Sequence, residues 1–248
     1  MNDSLTSLSL VQVGVGLTVI AVAYLLRGIA GFGSGLIAIP LLLLLNLSIT
    51  TVVPLIVTLD YLASTTQGIK NRHAIQWREI WPLMPFSMLG VALAIYMFKT
   101  VDGQMLRRGL AVFIILYAAY TLLGKPVQRD HSRGWAVPAG GLGGLIGTLF
   151  GTGGPFYVIY LQLRRLDKTS FRATFATIFL LDGAARLFGY LISGLFDLKF
   201  LSLLIILLPL VLLVLYIGGR IHTTFSQESF KRAISVLLAV SGIALLLK

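Results

Sequence analysis

The chain has 248 residues, of which 57% are hydrophobic and only 12% are charged, and its mean hydropathy is +0.91. Soluble domains carry roughly 45–50% apolar and about 25% charged residues, so this composition argues against a water-soluble enzyme. The formal net charge is +11, and most of the Lys and Arg residues lie in short loops between apolar runs. This pattern is typical of cytoplasmic membrane loops and not of a nucleic-acid-binding surface. We therefore expect a lipid bilayer around the chain and no nucleic acid as a partner.

The composition also limits the chemistry. The chain has no cysteine, which excludes a disulfide framework, a thiolate metal site and a catalytic cysteine. Its three histidines, His73, His131 and His222, lie in polar stretches without a second ligand at metal-binding spacing. Neither an activated serine nor a pair of catalytic carboxylates is recognisable. We expect no enzyme activity, no metal and no other cofactor.

Hydropathy divides the chain into ten apolar segments, five on each side of the polar stretch 125–133. The second and seventh segments, of about 14 and 11 residues, are too short for a hydrocarbon core of about 30 Å and predict half-helices. The segments lie near residues 8–30, 33–46, 48–69, 80–98, 106–123, 134–150, 153–163, 171–195, 199–219 and 230–247.

Landmarks in the two halves indicate an internal duplication. The first glycine nest, Gly31-Phe-Gly-Ser-Gly35, lies about 120 residues before the second, Gly151-Thr-Gly-Gly-Pro155. Asp60 in the third segment lies about 122 residues before Asp182 in the eighth. Landmarks repeated in the same order at a nearly constant spacing are typical of a repeated unit.

The Lys and Arg residues other than Arg27 and Arg186, which lie inside apolar segments, favour an inverted arrangement of the two repeats. This arrangement divides them about 13 to 5 between the two sides of the membrane, against about 10 to 8 for parallel repeats. We predict an all-α polytopic protein with an N-terminal transmembrane repeat over 1–124, a cytoplasmic linker over 125–133 and a C-terminal repeat over 134–248. Both chain ends would lie outside the cytoplasm. Five aromatic residues near segment ends are predicted to lie at the membrane interface: Trp77, Trp81, Tyr120, Trp135 and Tyr157.

The glycine nests predict broken helices or re-entrant hairpins, because unpaired backbone at membrane depth is tolerated only beside protein or a water-filled cavity. The half-helix after each nest directs unpaired N–H groups and a partial positive charge into the break, which favours an anion. The alternative is that the glycines only permit close helix packing. The candidate substrate-binding residues of the nests are Gly31, Gly33, Ser34, Gly35, Gly151, Thr152, Gly153 and Gly154.

Four ionisable residues lie inside apolar segments, where each charge costs about 2.5–3.5 kcal/mol. Arg27 and Arg186 are candidate anion ligands, and Asp60 and Asp182 are candidate coupling or structural charges. The alternatives are that Asp182 and Arg186, four residues apart, neutralise each other, that Arg27 reaches an interface, and that Asp60 pairs with Arg27 instead of carrying a proton.

Two polar residues near Asp60 are candidates for lining a cavity. Thr58 and Gln67 lie in the same apolar segment as this aspartate and carry hydrogen-bond donors. A threonine hydroxyl also bonds readily to its own helix, which is the alternative for Thr58.

The nests carry a resemblance to a known family. Gly31-Phe-Gly-Ser-Gly-Leu-Ile-Ala-Ile-Pro40 and Gly147-Thr-Leu-Phe-Gly-Thr-Gly-Gly-Pro155 resemble the sulfite exporter TauE/SafE family of membrane permeases. The resemblance implies transport of sulfite, sulfoacetate or related sulfonates across a bacterial cytoplasmic (inner) membrane. The matched positions are the six nest glycines. Ser34 and Pro155 depart from the family, in which a third consecutive glycine is common, so the pocket could be shaped for a different anion.

Together these observations predict a secondary transporter of a small sulfur anion, coupled to a proton or another ion by alternating access. The alternatives are a transporter of a carboxylate or other small organic anion, a passive anion channel, and a membrane scaffold that transports nothing. The sequence leaves the oligomeric state open, with a homodimer as one option.

Overall fold

The computed structural model describes residues 9–30, 33–67, 72–123, 132–164, 166–221 and 227–248. This part of the chain forms α-helices and short 3-10 turns and contains no β-strand. The ten predicted apolar segments each correspond to one helix, and the four-residue α4 is additional, so the all-helical prediction is confirmed. The helices are α1 Leu10–Ala30, α2 Ser34–Leu44, α3 Ile49–Gln67, α4 Trp77–Ile80, α5 Met84–Thr100, α6 Gly103–Leu123, α7 Ala136–Phe150, α8 Gly154–Leu163, α9 Lys168–Ile192, α10 Leu198–Arg220 and α11 Gln227–Leu246.

Helix length separates the membrane-crossing candidates from the shorter elements. In the described residues, α1, α6, α9 and α10 are long and apolar enough to cross a membrane. The helices that follow the two nests, α2 and α8, have only 11 and 10 residues. The prediction of two short helices is confirmed.

The helices form two compact units, and the boundary between the units lies inside α3. Unit 1 comprises Met1–Leu59, Val101–Lys125 and Asp197–Lys248. Unit 2 comprises Asp60–Thr100 and Pro126–Phe196. Each unit therefore combines helices from both halves of the sequence.

Each unit contains a helical hairpin at a glycine nest. In unit 1, Gly16 near the start of α1 faces Leu42 of α2, so the two helices run antiparallel and enter and leave at the same end. In unit 2, Gly143 of α7 packs against the ring of Tyr157 in α8 in the same way. Gly33 and Gly151, with φ of 100° and 66°, adopt the left-handed conformation that lets the chain reverse without side-chain strain.

Each unit also contains a close crossing of two helices through glycine. In unit 1, Gly28 of α1 lies against Gly218 of α10. In unit 2, Gly90 and Gly144 bring α5 and α7 together, and a Cβ on Gly144 would collide with the backbone carbonyl of Ser87. Small residues at such crossings allow helix backbones to approach closely in a membrane.

Helix α9 carries two of the predicted intramembrane charges and has a defined start. Asp167 is its N-cap, and its carboxylate accepts hydrogen bonds from the N–H groups of Thr169 and Ser170, at 2.9 and 3.1 Å. The bonds from Ser170 are the main reason that the pKa of Asp167 lies below its usual value. In the helix that begins at this cap, the spacing of four residues places Asp182 and Arg186 one turn apart inside unit 2.

The α5–α7 crossing predicts a position-dependent response to added methyl groups. Gly144→Ala inserts a Cβ into the backbone of α5 and is expected to destabilise the protein by about 1–3 kcal/mol. Gly141→Ala, on the same helix, meets nothing within 4 Å and is expected to be neutral or stabilising by up to about 1 kcal/mol. Thermal unfolding of both purified variants in detergent measures the difference in their stability. Equal melting temperatures would contradict the close backbone contact between α5 and α7.

Candidate functional site

In unit 1, a buried arginine contacts the start of the short helix α2. Arg27 lies one turn before the first nest and is 6% exposed. Its Nη1 donates a hydrogen bond to Ser34 Oγ at 3.0 Å, and Ser34 is itself buried at the first position of α2. Arg27 and Ser34 are therefore in contact at the first hairpin, and Arg27 does not extend to an exposed position.

Tyr24 of unit 1 links this arrangement to α3. The guanidinium of Arg27 lies 6.0 Å from the ring centroid of Tyr24, within the range of a cation–π contact. The Tyr24 hydroxyl donates to the carbonyl of Ile56 at 3.4 Å. Thr58 is buried on α3, and its hydroxyl donates to the carbonyl of Pro54 in its own helix at 2.7 Å, which is the alternative that the sequence left open for it.

In unit 2, a fully buried ion pair lies inside the bundle. Asp182 and Arg186, both on α9 and both almost inaccessible, form a salt bridge. Arg186 Nη2 also donates to the carbonyl of Gly143 on α7 at 3.1 Å. The mutual neutralisation that the spacing suggested is therefore present, and the same arginine also contacts the hairpin.

Two further hydroxyl groups organise the carboxylate of Asp182. Ser87 Oγ on α5 donates a short hydrogen bond to Asp182 Oδ1. Tyr157 Oη on α8 lies 3.2 Å from Ser87 Oγ and is also hydrogen-bonded to Asp182. The interface position predicted for Tyr157 is wrong: the ring is completely buried, because its hydroxyl finds partners in the interior.

The second nest places unsatisfied donors beside Arg186. The guanidinium fills the space in which a Cβ on Gly147 or Gly153 would lie. Thr152, between the nest glycines, is 3% exposed, and its Oγ1 has no hydrogen-bond partner among the described residues. Arg186 Nε is also buried without one. Buried polar groups without partners are costly, and two of them belong to residues at or against the start of α8.

The two units supply their arginines from different helices. At the 120-residue spacing of the nests, the counterpart of Arg27 is Gly147. The space that a side chain at 147 would need is occupied by the guanidinium of Arg186, which comes from α9. Each hairpin therefore has one buried guanidinium at its break, although the duplicated positions do not match.

The structure gives the positions of some of the remaining predicted residues. Gly35 is buried in the first turn of α2, and Gly154 begins α8. Asp60 is buried on α3 at the start of unit 2. Gly31 and the side chain of Gln67 lie outside the described residues.

A buried glutamate of unit 2 is a residue that the sequence analysis missed. Glu79 on α4 accepts hydrogen bonds from the Tyr160 hydroxyl at 2.7 Å and from Arg164 Nε at 3.0 Å. Its other oxygen accepts from Arg133 Nε and Nη2, both at 3.3 Å. The one feature of the sequence that could have drawn attention to Glu79 is that it is an acidic residue among strongly basic polar segments. Glu79 therefore joins the end of α8 to the segment before α7.

Comparison with known protein families gives a match over most of the chain. The sequence profile of the family described as Sulfite exporter TauE/SafE matches residues 16–245. The chain belongs to the sulfite exporter TauE/SafE family. No solved structure matches it.

Two curated relatives cover most of the chain. It is 26% identical over 196 residues to a Comamonas testosteroni protein named probable inner membrane transporter protein TsaS, covering 77% of this chain and 81% of the relative. It is 24% identical over 222 residues to a Cupriavidus necator protein named probable sulfite/organosulfonate exporter TauE, covering 86% of each. This TauE/SafE family member is a membrane transporter of the bacterial inner membrane and not an enzyme, as the sequence predicted.

Proposed function

We propose that the chain carries a small sulfur anion, sulfite or an organosulfonate, across the inner membrane and binds it at the start of α8. The observation that carries this proposal is the buried guanidinium of Arg186 against Gly153, the N-cap of α8, together with the unpaired buried hydroxyl of the preceding residue, Thr152. Both groups lie at the N-terminal end of a ten-residue helix, where the partial positive charge of the helix favours an anion.

The chemistry of the proposed ligand follows from these donors. A guanidinium presents a planar set of N–H groups that fits two oxygen atoms of an oxyanion. The Thr152 hydroxyl supplies a third donor from the nest. In unit 1, Arg27 and Ser34 likewise provide one guanidinium and one hydroxyl group at the start of α2. We propose that they take part in the same transport cycle.

The choice of a sulfur anion is supported by the family description and by the printed names of the relatives. Helix N-termini and arginine also accept carboxylates, so the donors alone do not select sulfur. Ser34 and Pro155, which depart from the family pattern, lie beside the two arginine sites and are the positions at which we expect selectivity to differ.

We further propose that the two halves are inverted repeats. Within unit 1, Arg107 Nη2 donates to the Leu47 carbonyl at 3.3 Å and Lys248 Nζ to the Leu44 carbonyl at 2.5 Å. The α2–α3 turn therefore lies on the same side as the chain end, as the inverted arrangement requires. Parallel repeats of four crossings each would place Leu44 and Lys248 on opposite sides.

Unit 2 supports the same arrangement independently. The contacts of Glu79 with Arg133 and Arg164 place the segments after α3, before α7 and after α8 at one end. In the inverted arrangement these segments are all cytoplasmic, whereas parallel repeats would separate Glu79 from Arg164. Movement of the repeats relative to each other would give alternating access, coupled to a proton or another ion, with Asp60 and Asp182 as the candidate carriers.

Uptake into liposomes tests the substrate class and the site together. We expect saturable flux of sulfite or sulfoacetate that exceeds the flux of sulfate and acetate. Arg186→Gln removes the main charge contact and is expected to abolish this flux. Thr152→Val removes one hydrogen bond and is expected to raise KM about tenfold, which corresponds to roughly 1.4 kcal/mol.

Exposed residues provide matched controls for these variants. The control for Arg186→Gln is Arg172→Gln, at an exposed position on the same helix, and the control for Thr152→Val is Thr100→Val, at the exposed last residue of α5. Both control variants are expected to transport like the unmodified protein. Saturable acetate flux that sulfite does not inhibit would assign the protein to carboxylates. Flux that never saturates would indicate a channel, and unchanged flux in Arg186→Gln would remove the site.

Cysteine labelling tests the inverted arrangement, and the natural absence of cysteine makes the chain a ready background. A membrane-impermeant maleimide applied to intact cells, with access to the outer face of the inner membrane, is expected to label Leu247→Cys but not Arg78→Cys. Both positions are exposed. In inside-out vesicles the pattern is expected to reverse. Labelling of both positions from the same side would contradict the arrangement.

A further inference from the structure

The ion pair of Asp182 and Arg186 sets a charge limit on anion binding. The two ionised side chains sum to zero, and both are buried in the interior of unit 2. A monoanion placed against Arg186 would leave this interior with a net charge of −1. An unpaired buried charge is strongly unfavourable, so a compensating positive charge has to enter with the anion.

We propose that a proton on Asp182 supplies this charge, so that one proton crosses the membrane with each monovalent anion. Protonation of Asp182 Oδ2, the oxygen that faces Arg186, breaks the ion pair and frees Nη2 for the anion. The loaded site then contains one arginine cation, one anion and one neutral carboxylic acid. This inference rests on the proposed function, since it assigns the coupling step of that same site.

The groups around Asp182 can accommodate its carboxyl group in both the ionised and the protonated state. Ser87 of α5 donates to Oδ1 and stabilises the ionised form, and Tyr157 of α8 supports Ser87. On α9 itself the facing groups are Arg186 and Tyr190, whose hydroxyl donates to the Thr148 carbonyl at 2.5 Å. Helix α7 contributes the Gly143 carbonyl, which keeps the guanidinium in place after Asp182 is neutralised. Ser87 is therefore a positioning residue for the proton step.

Proteoliposomes with a trapped pH indicator test this coupling in the unmodified protein. Methanesulfonate and isethionate are suitable probes, because neither has a group that titrates near neutral pH and any proton that moves must be carried by the protein. We expect one proton per sulfonate and a rate that does not change when valinomycin and potassium set the membrane potential. Net uptake of labelled sulfonate without proton movement, or net flux driven by the potential, would overturn the inference but leave the proposed function intact. Absence of any exchange would overturn both.

The variant Asp182→Asn separates binding from coupling. Its amide is neutral like the protonated acid, so labelled sulfonate is expected to exchange at all pH values. Accumulation driven by a pH gradient is expected to be lost, because the empty site retains the uncompensated charge of Arg186. Asp102→Asn, at an exposed position before α6, is the matched control. Accumulation by Asp182→Asn at the unmodified rate would overturn the inference.

The variant Ser87→Ala provides a second test that leaves both charges in place. Loss of a donor to the carboxylate favours the protonated state, so the pH of half-maximal transport is expected to rise by about one unit. Ser202→Ala, exposed on α10, is the control and is expected to leave the pH profile in place. A purely structural role for Ser87 would lower the rate without moving the profile, and that result would contradict its assignment.

Discussion

The cost of placing charge in an apolar interior is the constraint on which this molecule depends. An ionised side chain buried alone loses its hydration and is strongly unfavourable, and a buried pair is stable only when its remaining hydrogen-bonding groups find partners. Ser87 and the Gly143 carbonyl supply some of these partners for Asp182 and Arg186, while Arg186 Nε has none among the described residues. The partners come from α5 and α7, so the charge pair requires these two helices to approach α9 closely.

The glycines make that approach possible. Gly90 and Gly144 allow α5 and α7 to pack backbone against backbone, and Gly147 and Gly153 leave space for the guanidinium. The left-handed Gly151 then reverses the chain so that α8 begins beside the same arginine. Close packing of the hairpin therefore also creates the position at which we propose that the anion binds.

Much of this architecture could be predicted from the sequence because the relevant signals are local. The lengths of the apolar runs predicted the ten helices that correspond to them, and the glycine nests predicted where the chain reverses in each hairpin. The partners of the buried charges could not be predicted, because Ser87 lies 95 residues from Asp182 and a single serine in an apolar run has no periodic signal. Tyr157 was misassigned for a related reason: position near a segment end says nothing about whether that end lies in the protein interior. Glu79 lies in the four-residue helix α4, far in sequence from Arg133 and Arg164, and only the folded chain brings them together.

The position of the bound anion tests the central claim most directly. Selenite has the shape and charge of sulfite, and its selenium atom can be located by anomalous scattering in crystals of the protein. The account predicts a selenium peak within hydrogen-bonding distance of Arg186 and the Thr152 hydroxyl, at the start of α8, and loss of that peak in Arg186→Gln crystals. A peak remote from both hairpins, or one that persists without Arg186, would contradict the account.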